Sequence, residues 1–145
     1  MENITLPILD RDFVGNLIPQ KFPFVMVDKV LAFGENFITS GFTVEETNIF
    51  TENSIFQEAG LIEHMAQSVA LHTGYQFYLR NEDAPTGYIG SIKEIQIKRL
   101  PLLSDHIQSE VTILQEFGGI TLVDIVTTLN NQEIARGQMK TVLAK

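Results

Sequence analysis

The stretch LIEHMAQSVALH, residues 61–72, lies at the front of the one long helical pattern in this sequence. Its apolar residues recur at the intervals that mark one wide face of an α-helix: Leu61, Ile62, Met65, Ala66, Val69 and Ala70. Ser54, followed by Gln57, fits a capping box, so we predict a helix that begins near there and continues to about Arg80. A helix with so wide an apolar face must be covered on most sides, and this requirement decides the fold.

The sequence on both sides of this helix predicts β-structure. After possible helical turns within residues 12–17, FPFVMVDKVLAFG (22–34) and ENFITSGFTVEE (35–46) predict a hairpin that turns at residues 34–36. Downstream, segments with a period of two and turn-rich residues between them predict an antiparallel meander: residues 91–99, 106–117, 120–130 and 132–144. One curved antiparallel sheet wrapped around a long central helix covers the helix most economically, so we predict a single α+β domain, residues 1–145, with the hotdog fold.

Composition excludes several classes of function. The net charge of −8 opposes nucleic-acid binding, which needs a basic stripe. Cysteine is absent and the three histidines lack metal-ligand spacing, so we predict neither a metal nor another cofactor. The start has no basic segment followed by an apolar run, and no apolar stretch is long enough to span a membrane, so we predict a soluble cytoplasmic protein.

Helical geometry singles out Glu63 as a candidate acid–base residue. At 100° per residue, Glu63 lies at the edge of the buried face, beside a seam that contains Gln67 and the small residues Ala66, Ala70 and Gly74. Small side chains let a strand or a ligand come close to the helix there. Carboxylates are seldom buried without a partner, so Glu63 is either satisfied by hydrogen bonds or functional.

The histidines are expected to have ordinary roles. His64 lies roughly opposite the buried stripe, which predicts a solvated surface side chain, and neighbours in a helix do not face each other, so it cannot form a dyad with Glu63. His72 falls on the other flank and is predicted to be packed or at an edge. His106, in the turn before a strand, is predicted to be exposed.

Three motifs, in the same order, resemble those of the bacterial 3-hydroxyacyl-acyl-carrier-protein dehydratases, hotdog enzymes of fatty-acid synthesis. LIEHMAQ (61–67) is similar to their Glu-Ala-Met-Ala-Gln helix motif. LIPQKFPFVMVDKV (17–30) is similar to their opening Leu-Pro-His-Arg-Tyr-Pro-Phe-Leu-Leu-Val-Asp-Arg-Val. YIGSIKEIQIKRLPLLSD (88–105) is similar to their strand and turn ending in Lys-Arg-Pro and Gly-Asp. The likeness spans nearly the whole chain.

The resemblance implies a homodimer whose active sites straddle the interface. In that family a histidine from a Gly-His-Phe-Pro loop of one subunit and a helix glutamate of the other remove water from a 3-hydroxyacyl thioester. The glutamate corresponds to Glu63, the predicted catalytic residue, and backbone amides near the helix start would stabilise the thioester enolate. The residues expected to contact the substrate are Gln67, Phe56, Ala59, Gly60, Asn53 and Ser91.

The chain departs from the family pattern ahead of the helix. TNIFTENSIFQEAG (47–60) looks shorter than the family loop and contains neither its histidine nor its prolines, and Gln20 replaces the histidine of the opening motif. This pattern is similar to that of divergent hotdog dehydratase-like proteins of aryl-polyene and related pigment pathways, which keep the helix glutamate and a short loop. Half of the family's acid–base pair is therefore missing from this chain.

Three functions are compatible with these residues. The first is a dehydratase acting on acyl-carrier-protein thioesters, with Glu63 as the surviving acid–base residue and Asn53 or a water supplying the rest. The second is a catalytically impaired subunit that pairs with an active hotdog paralogue. The third is a thioesterase in which the helix carboxylate activates water. The dehydratase motifs at both ends of the chain favour the first, and neither acyl length nor aromatic character of the substrate follows from the sequence.

The predicted partners are a thioester of acyl carrier protein or coenzyme A and a second hotdog subunit, identical or different. An open strand edge and a helix flank of small residues favour a dimer. Acyl carrier proteins are acidic, so docking on this acidic chain needs a local basic spot. The candidates for that spot are Lys93, Lys98, Arg99 and Lys140.

Overall fold

The computed structural model describes residues 5–144, which form one long helix packed against a six-stranded antiparallel sheet, with a separate two-stranded hairpin. The elements in chain order are α1 (Arg11–Gly15), β1 (Lys29–Gly34), β2 (Phe37–Thr43), β3 (Thr51–Glu52), β4 (Ile55–Phe56), α2 (Glu58–Leu79), β5 (Gly87–Ile97), β6 (His106–Phe117), β7 (Ile120–Leu129) and β8 (Gln132–Leu143). Helix α2 contacts β2, β5, β6 and β7, and the core lies between them. The predicted α+β architecture is confirmed.

The strand order across the sheet is β1-β2-β6-β7-β8-β5. The predicted first hairpin is formed by β1 and β2, and β6 to β8 are consecutive hairpins whose turns, Gly118-Gly119 and Asn130-Asn131, have positive φ, as tight hairpin turns require. However, β5 pairs with β8 and not with β6, so the predicted meander of four consecutive strands is wrong. The segment 98–105 is too long for a tight turn and takes the chain from β5, at one edge, to β6 beside β2.

Residues 22–28 do not form the strand that their apolar character predicted, and β1 begins only at Lys29. Side chains of α2 bind the backbone groups that a strand partner would otherwise bind. Gln67 accepts a hydrogen bond from the Met26 amide at 2.6 Å and donates one to the Phe24 carbonyl at 2.6 Å, while His64 donates to the Met26 carbonyl at 2.7 Å. The segment 22–28, called the strap below, is therefore irregular and is held to the helix by these hydrogen bonds. They pair the backbone groups of Phe24 and Met26 that have no strand partner.

The start of α2 differs from the predicted capping box. Gln57 is the N-cap and makes no side-chain capping bond, whereas Ser54 lies with Asn53 in the tight turn between β3 and β4, both with positive φ. Turn chemistry therefore takes precedence over capping at Ser54. The helix ends at Leu79 with Arg80 as its C-cap, as predicted.

Helix α2 packs tightly against the N-terminal segment at Gly74. A methyl group at this position would fall on the backbone carbonyl of Leu17, so we expect Gly74→Ala to lower the free energy of unfolding by about 2–3 kcal/mol, because a buried backbone must shift. Urea unfolding followed by circular dichroism measures this difference. Gly15→Ala is the control, since a methyl group there has no neighbour within 4 Å. Equal stability of the two variants would contradict the close approach.

Candidate active site

A cavity of about 440 Å³ lies along α2, and Glu63 lines it. Its helix wall includes Ala66, Ala70 and Gly74, the small residues of the predicted seam. Residues 17–20 and 83–89 form other parts of its wall, together with the end of β8. The space that the seam predicted beside Glu63 is therefore present.

Glu63 is held by Gln67 at the helix wall. The Gln67 amide nitrogen donates to Glu63 Oε1 at 2.9 Å, and Gln67 itself is buried and fixed by the strap at Phe24 and Met26. Within residues 5–144, Glu63 Oε2 makes no hydrogen bond. The half-buried carboxyl group thus has one oxygen oriented by the protein and one free to bind a ligand.

His64 is buried, so the prediction of a solvated surface histidine is wrong. Its Nδ1–H donates to the Met26 carbonyl, which leaves Nε2 to accept a hydrogen bond from the Ser109 hydroxyl at 2.8 Å. The Thr127 hydroxyl then donates to Ser109 Oγ at 2.6 Å. Burial lowers the pKa of His64 to about 4, because the imidazolium ion would lose its hydration.

The error at His64 has a physical cause. The flank of α2 opposite the apolar stripe is covered by the sheet, and the strands present small hydroxyl side chains there instead of solvent. Ser40 on β2 bonds to Ser68 of the helix at 2.6 Å, and Ser109 on β6 bonds to His64. His64 therefore packs against hydroxyl groups of the sheet and not against solvent. Both of its ring nitrogens are engaged in hydrogen bonds.

The other two histidines agree with their predictions, and neither lines the Glu63 cavity. His72 is packed: its ring stacks on Phe33 with 5.1 Å between centroids, and its Nε2–H donates to the Gly34 carbonyl at 3.0 Å. His106 is exposed and forms a 2.7 Å hydrogen bond with Thr43. The wall of the cavity, within the described residues, contains no histidine that could act with Glu63.

None of the residues predicted to contact substrate, Gln67 included, lines this cavity in the described part of the chain. Phe56 and Gly60 are buried against each other, and a methyl group on Gly60 would come within 2.6 Å of the Phe56 ring. Ala59 and Asn53 are exposed, and Ser91 is half-buried on β5 with a hydroxyl that has no partner. Their contact with a substrate stays a prediction.

Sequence reasoning missed most of the cavity wall that faces the helix. The missed residues come from three separate segments and include Leu17, Gln20, Tyr88, Ile89, Thr141 and Leu143. The only sequence signal for these residues was the resemblance of residues 17–30 and 88–105 to family motifs. Local sequence patterns do not show which distant segments come together.

The segment before α2, where the resembling family has its histidine, holds no histidine. Its backbone is held by local hydrogen bonds: the Phe50 amide donates to Asn48 Oδ1 at 2.8 Å, and the Gln57 amide donates to the Phe50 carbonyl at 2.8 Å. Ile49 is 46% exposed there. An apolar side chain thus stands at the surface of a rigid turn, and Glu63 receives no base from this segment.

Two of the basic residues proposed for carrier-protein docking lie on one face of the sheet. Lys93 pairs with Gln138 in the β5–β8 register, and Lys140 is two residues further along β8, so both point to the same side. Lys98 is instead engaged by Glu133 at 2.6 Å. Hydrogen bonds from Arg136 and from Lys98 lower the pKa of Glu133 to about 2.

Comparison with known proteins places this geometry in a family. A family model described as ApeP-like, ApeP dehydratase, matches residues 13–144. The 3-hydroxyacyl-[acyl-carrier-protein] dehydratase FabZ of Pasteurella multocida is 28% identical over 145 residues, with 95% of this chain and 93% of that protein covered. FabZ of Vibrio cholerae is 25% identical over 133 residues, covering 88% and 86%.

Solved structures share the fold. A chain of the dehydratase heterocomplex ApeI:P from Xenorhabdus doucetiae superposes with a TM-score of 0.85 at 16% identity, covering 98% of this chain and 93% of that one. The protein PH1136 from Pyrococcus horikoshii superposes with a TM-score of 0.68 at 11% identity, covering 97% and 96%. The predicted hotdog fold is confirmed.

Across residues 5–144, no helix has both the length and the apolar character needed to cross a membrane. The cytoplasmic location stays a prediction.

Proposed function

Because the chain belongs to the ApeP-like dehydratase family, we propose that it works in the dehydration of 3-hydroxyacyl thioesters of acyl carrier protein, as one half of a site that a second hotdog subunit completes. The observation that carries this proposal is Glu63, oriented by Gln67 at the wall of a cavity whose described wall contains no histidine to act with it. Dehydratase-like action in fatty-acid or polyene biosynthesis follows from the family and its FabZ relatives.

Elimination of water from a 3-hydroxyacyl thioester needs two proton transfers. A base takes the Cα proton, the C–O bond at C3 breaks as the double bond forms, and an acid gives its proton to the departing hydroxyl group, which leaves as water. We assign the acid to Glu63, whose Oε2 is free to meet the hydroxyl group. The base then comes from the partner subunit, because the described wall of this cavity has no histidine.

The surface for that partner is the free edge of β5. Among the described strands β5 pairs only with β8, so its other edge has unpaired backbone groups. Most residues of the strand are exposed, including the apolar side chains of Tyr88, Ile89 and Ile92. Two of these residues, Tyr88 and Ile89, also line the Glu63 cavity, so a strand added at this edge would stand beside the site.

A partner different from this chain fits the missing base. Two copies of this chain would form two sites that both lack the family histidine, whereas a histidine-bearing hotdog subunit would complete one site for each heterodimer. The relative from Xenorhabdus doucetiae is itself part of a heterocomplex. The basic pair Lys93 and Lys140, on the β5–β8 face, is proposed to receive the acidic carrier protein.

The test is a dehydration assay with 3-hydroxyacyl thioesters of acyl carrier protein, read by ultraviolet absorption of the enoyl product. The chain alone is expected to be about 10²–10⁴-fold slower than its complex with a histidine-bearing hotdog protein from the same organism. Equal rates for the chain alone and the complex would contradict the shared site. Steady release of free thiol without enoyl product would show a thioesterase instead.

A further inference from the structure

A second cavity, of about 490 Å³, lies beside the C-terminal half of α2. Thr73 and Leu143 line both this cavity and the one that contains Glu63, so the two cavities border on the same two side chains. A ligand that enters beside Glu63 and follows the helix would pass these two side chains to reach the second cavity.

The distance along the helix gives the length of such a ligand. From Glu63 to Thr73 the helix rises by about 15 Å at 1.5 Å per residue. In an extended zigzag with carbon–carbon bonds of about 1.5 Å, a chain advances roughly 1.25 Å per bond, so about a dozen bonds cover this distance. Counted from C3, which carries the hydroxyl group at Glu63, this gives an acyl chain of roughly fifteen carbons with its far end at the second cavity.

The second cavity contains a buried histidine with an unused acceptor. His72 is only 4% exposed, and its Nε2–H is committed to the Gly34 carbonyl, so in the neutral ring Nδ1 has a lone pair. In the part of the chain that the structure describes, Nδ1 has no hydrogen-bond partner. Stacking on Phe33 keeps the ring in this orientation.

The other polar groups of this cavity include both acceptors and donors of hydrogen bonds, which a hydroxyl group can match, and the donors include the side-chain amides of Asn36, Gln76 and Gln115. The carboxylates of Glu35 and Glu116 line it together with His72, and all three can accept. The cationic Arg80 also lines it, but its guanidinium lies over the Phe77 ring, 5.4 Å from the centroid. The two carboxylates oppose an anionic chain end, and a methyl group would give the open acceptor of His72 no hydrogen-bond partner.

We propose that the second cavity receives the far end of the acyl chain and that His72 recognises a hydroxyl group there through Nδ1. This inference rests on the proposed function, since the chain must first lie with its thioester end at Glu63. His72 is then a residue that determines substrate specificity, at a distance from the reacting atoms.

The test compares two unreactive acyl-pantetheine amides, each of roughly fifteen carbons, one ending in a methyl group and one in a hydroxyl group. Calorimetry measures their affinity for the complex of this chain with its hotdog partner. Wild type is expected to bind the hydroxyl-ended probe about tenfold more tightly, the value of one good hydrogen bond. His72→Gln is expected to lose this preference, because the glutamine amide can replace Nε2–H toward Gly34 but lacks an acceptor at Nδ1.

His106→Gln, at an exposed histidine outside both cavities, is the matched control and should keep the preference. Equal binding of the two probes by wild type, or an unchanged preference in His72→Gln, would overturn this inference alone. Binding of neither probe would overturn the proposed function as well.

Discussion

Glu63→Gln is expected to lower kcat of the complex by about 10²–10⁴-fold while KM changes little, because glutamine fits the same space but cannot give a proton to the departing hydroxyl group. The glutamine can still accept the hydrogen bond from Gln67 through its side-chain carbonyl, so the fold should be unaffected. Steady-state dehydration kinetics of the complex measure the change, and thermal unfolding checks that the variant is folded.

The matched control is Glu58→Gln, which removes an exposed carboxylate from the first turn of the same helix and does not line the cavity. Its kinetics should equal those of wild type. If Glu63→Gln left the complex fully active, Glu63 would have no part in the reaction, and the chain would be a non-catalytic partner.

Acidification from pH 6.5 to about 4 is expected to remove about 3 kcal/mol from the free energy of unfolding through His64. In the unfolded chain this histidine binds a proton below its ordinary pKa of 6.5, whereas burial lowers the pKa in the folded chain to about 4. Between these values the unfolded state binds more protons, so stability falls as the pH falls. Below about pH 4 His64 contributes no further change.

Urea unfolding across this pH range tests the prediction in wild type and in His64→Asn. The asparagine amide can still donate to the Met26 carbonyl, but it does not titrate, so the variant should lack this part of the pH dependence. If the variant does not fold, nuclear magnetic resonance titration of the His64 ring in wild type measures the pKa of this histidine directly. A ring that becomes charged near pH 6.5, or identical pH dependence in both proteins, would contradict the buried neutral histidine.

The sequence predicted the elements better than their arrangement. The apolar spacing of residues 61–72 and the period-two segments are local signals, and they identified α2 and the strands of the sheet. The position of β5 beside β8 and the irregular strap at residues 22–28 depend on contacts between distant segments. An apolar run such as 22–28 does not reveal that Gln67 and His64 will bind its backbone.

The same division holds for the candidate site. Glu63 and its seam, with Gln67, could be placed from helical geometry, and the resemblance added the expected roles of these two residues. The burial of His64 could not be predicted from helical geometry, since it depends on the hydroxyl groups that β6 and β7 bring to the ring. The second cavity also combines residues from the β1–β2 turn, the helix and the ends of β6 and β8, which no single motif contains.

Gln67 connects the fold to the chemistry. One end of its amide holds the Met26 backbone, and the other end bonds both to the Phe24 carbonyl and to Glu63. The orientation of the proposed acid is therefore coupled to the packing of the strap on the helix, through a side chain that is itself buried. This coupling gives a physical reason for a glutamine one helical turn after the glutamate.

The most direct test of the shared site is a crystal structure of the complex between this chain and its hotdog partner with an unreactive 3-hydroxyacyl thioester analogue bound. We predict that Glu63 lies within hydrogen-bond reach of the analogue's hydroxyl group, and that a base from the partner lies within about 3 Å of the position of the Cα proton. An analogue bound beside Glu63 with no partner base facing it, or bound away from Glu63, would contradict the proposal that the two subunits share one site.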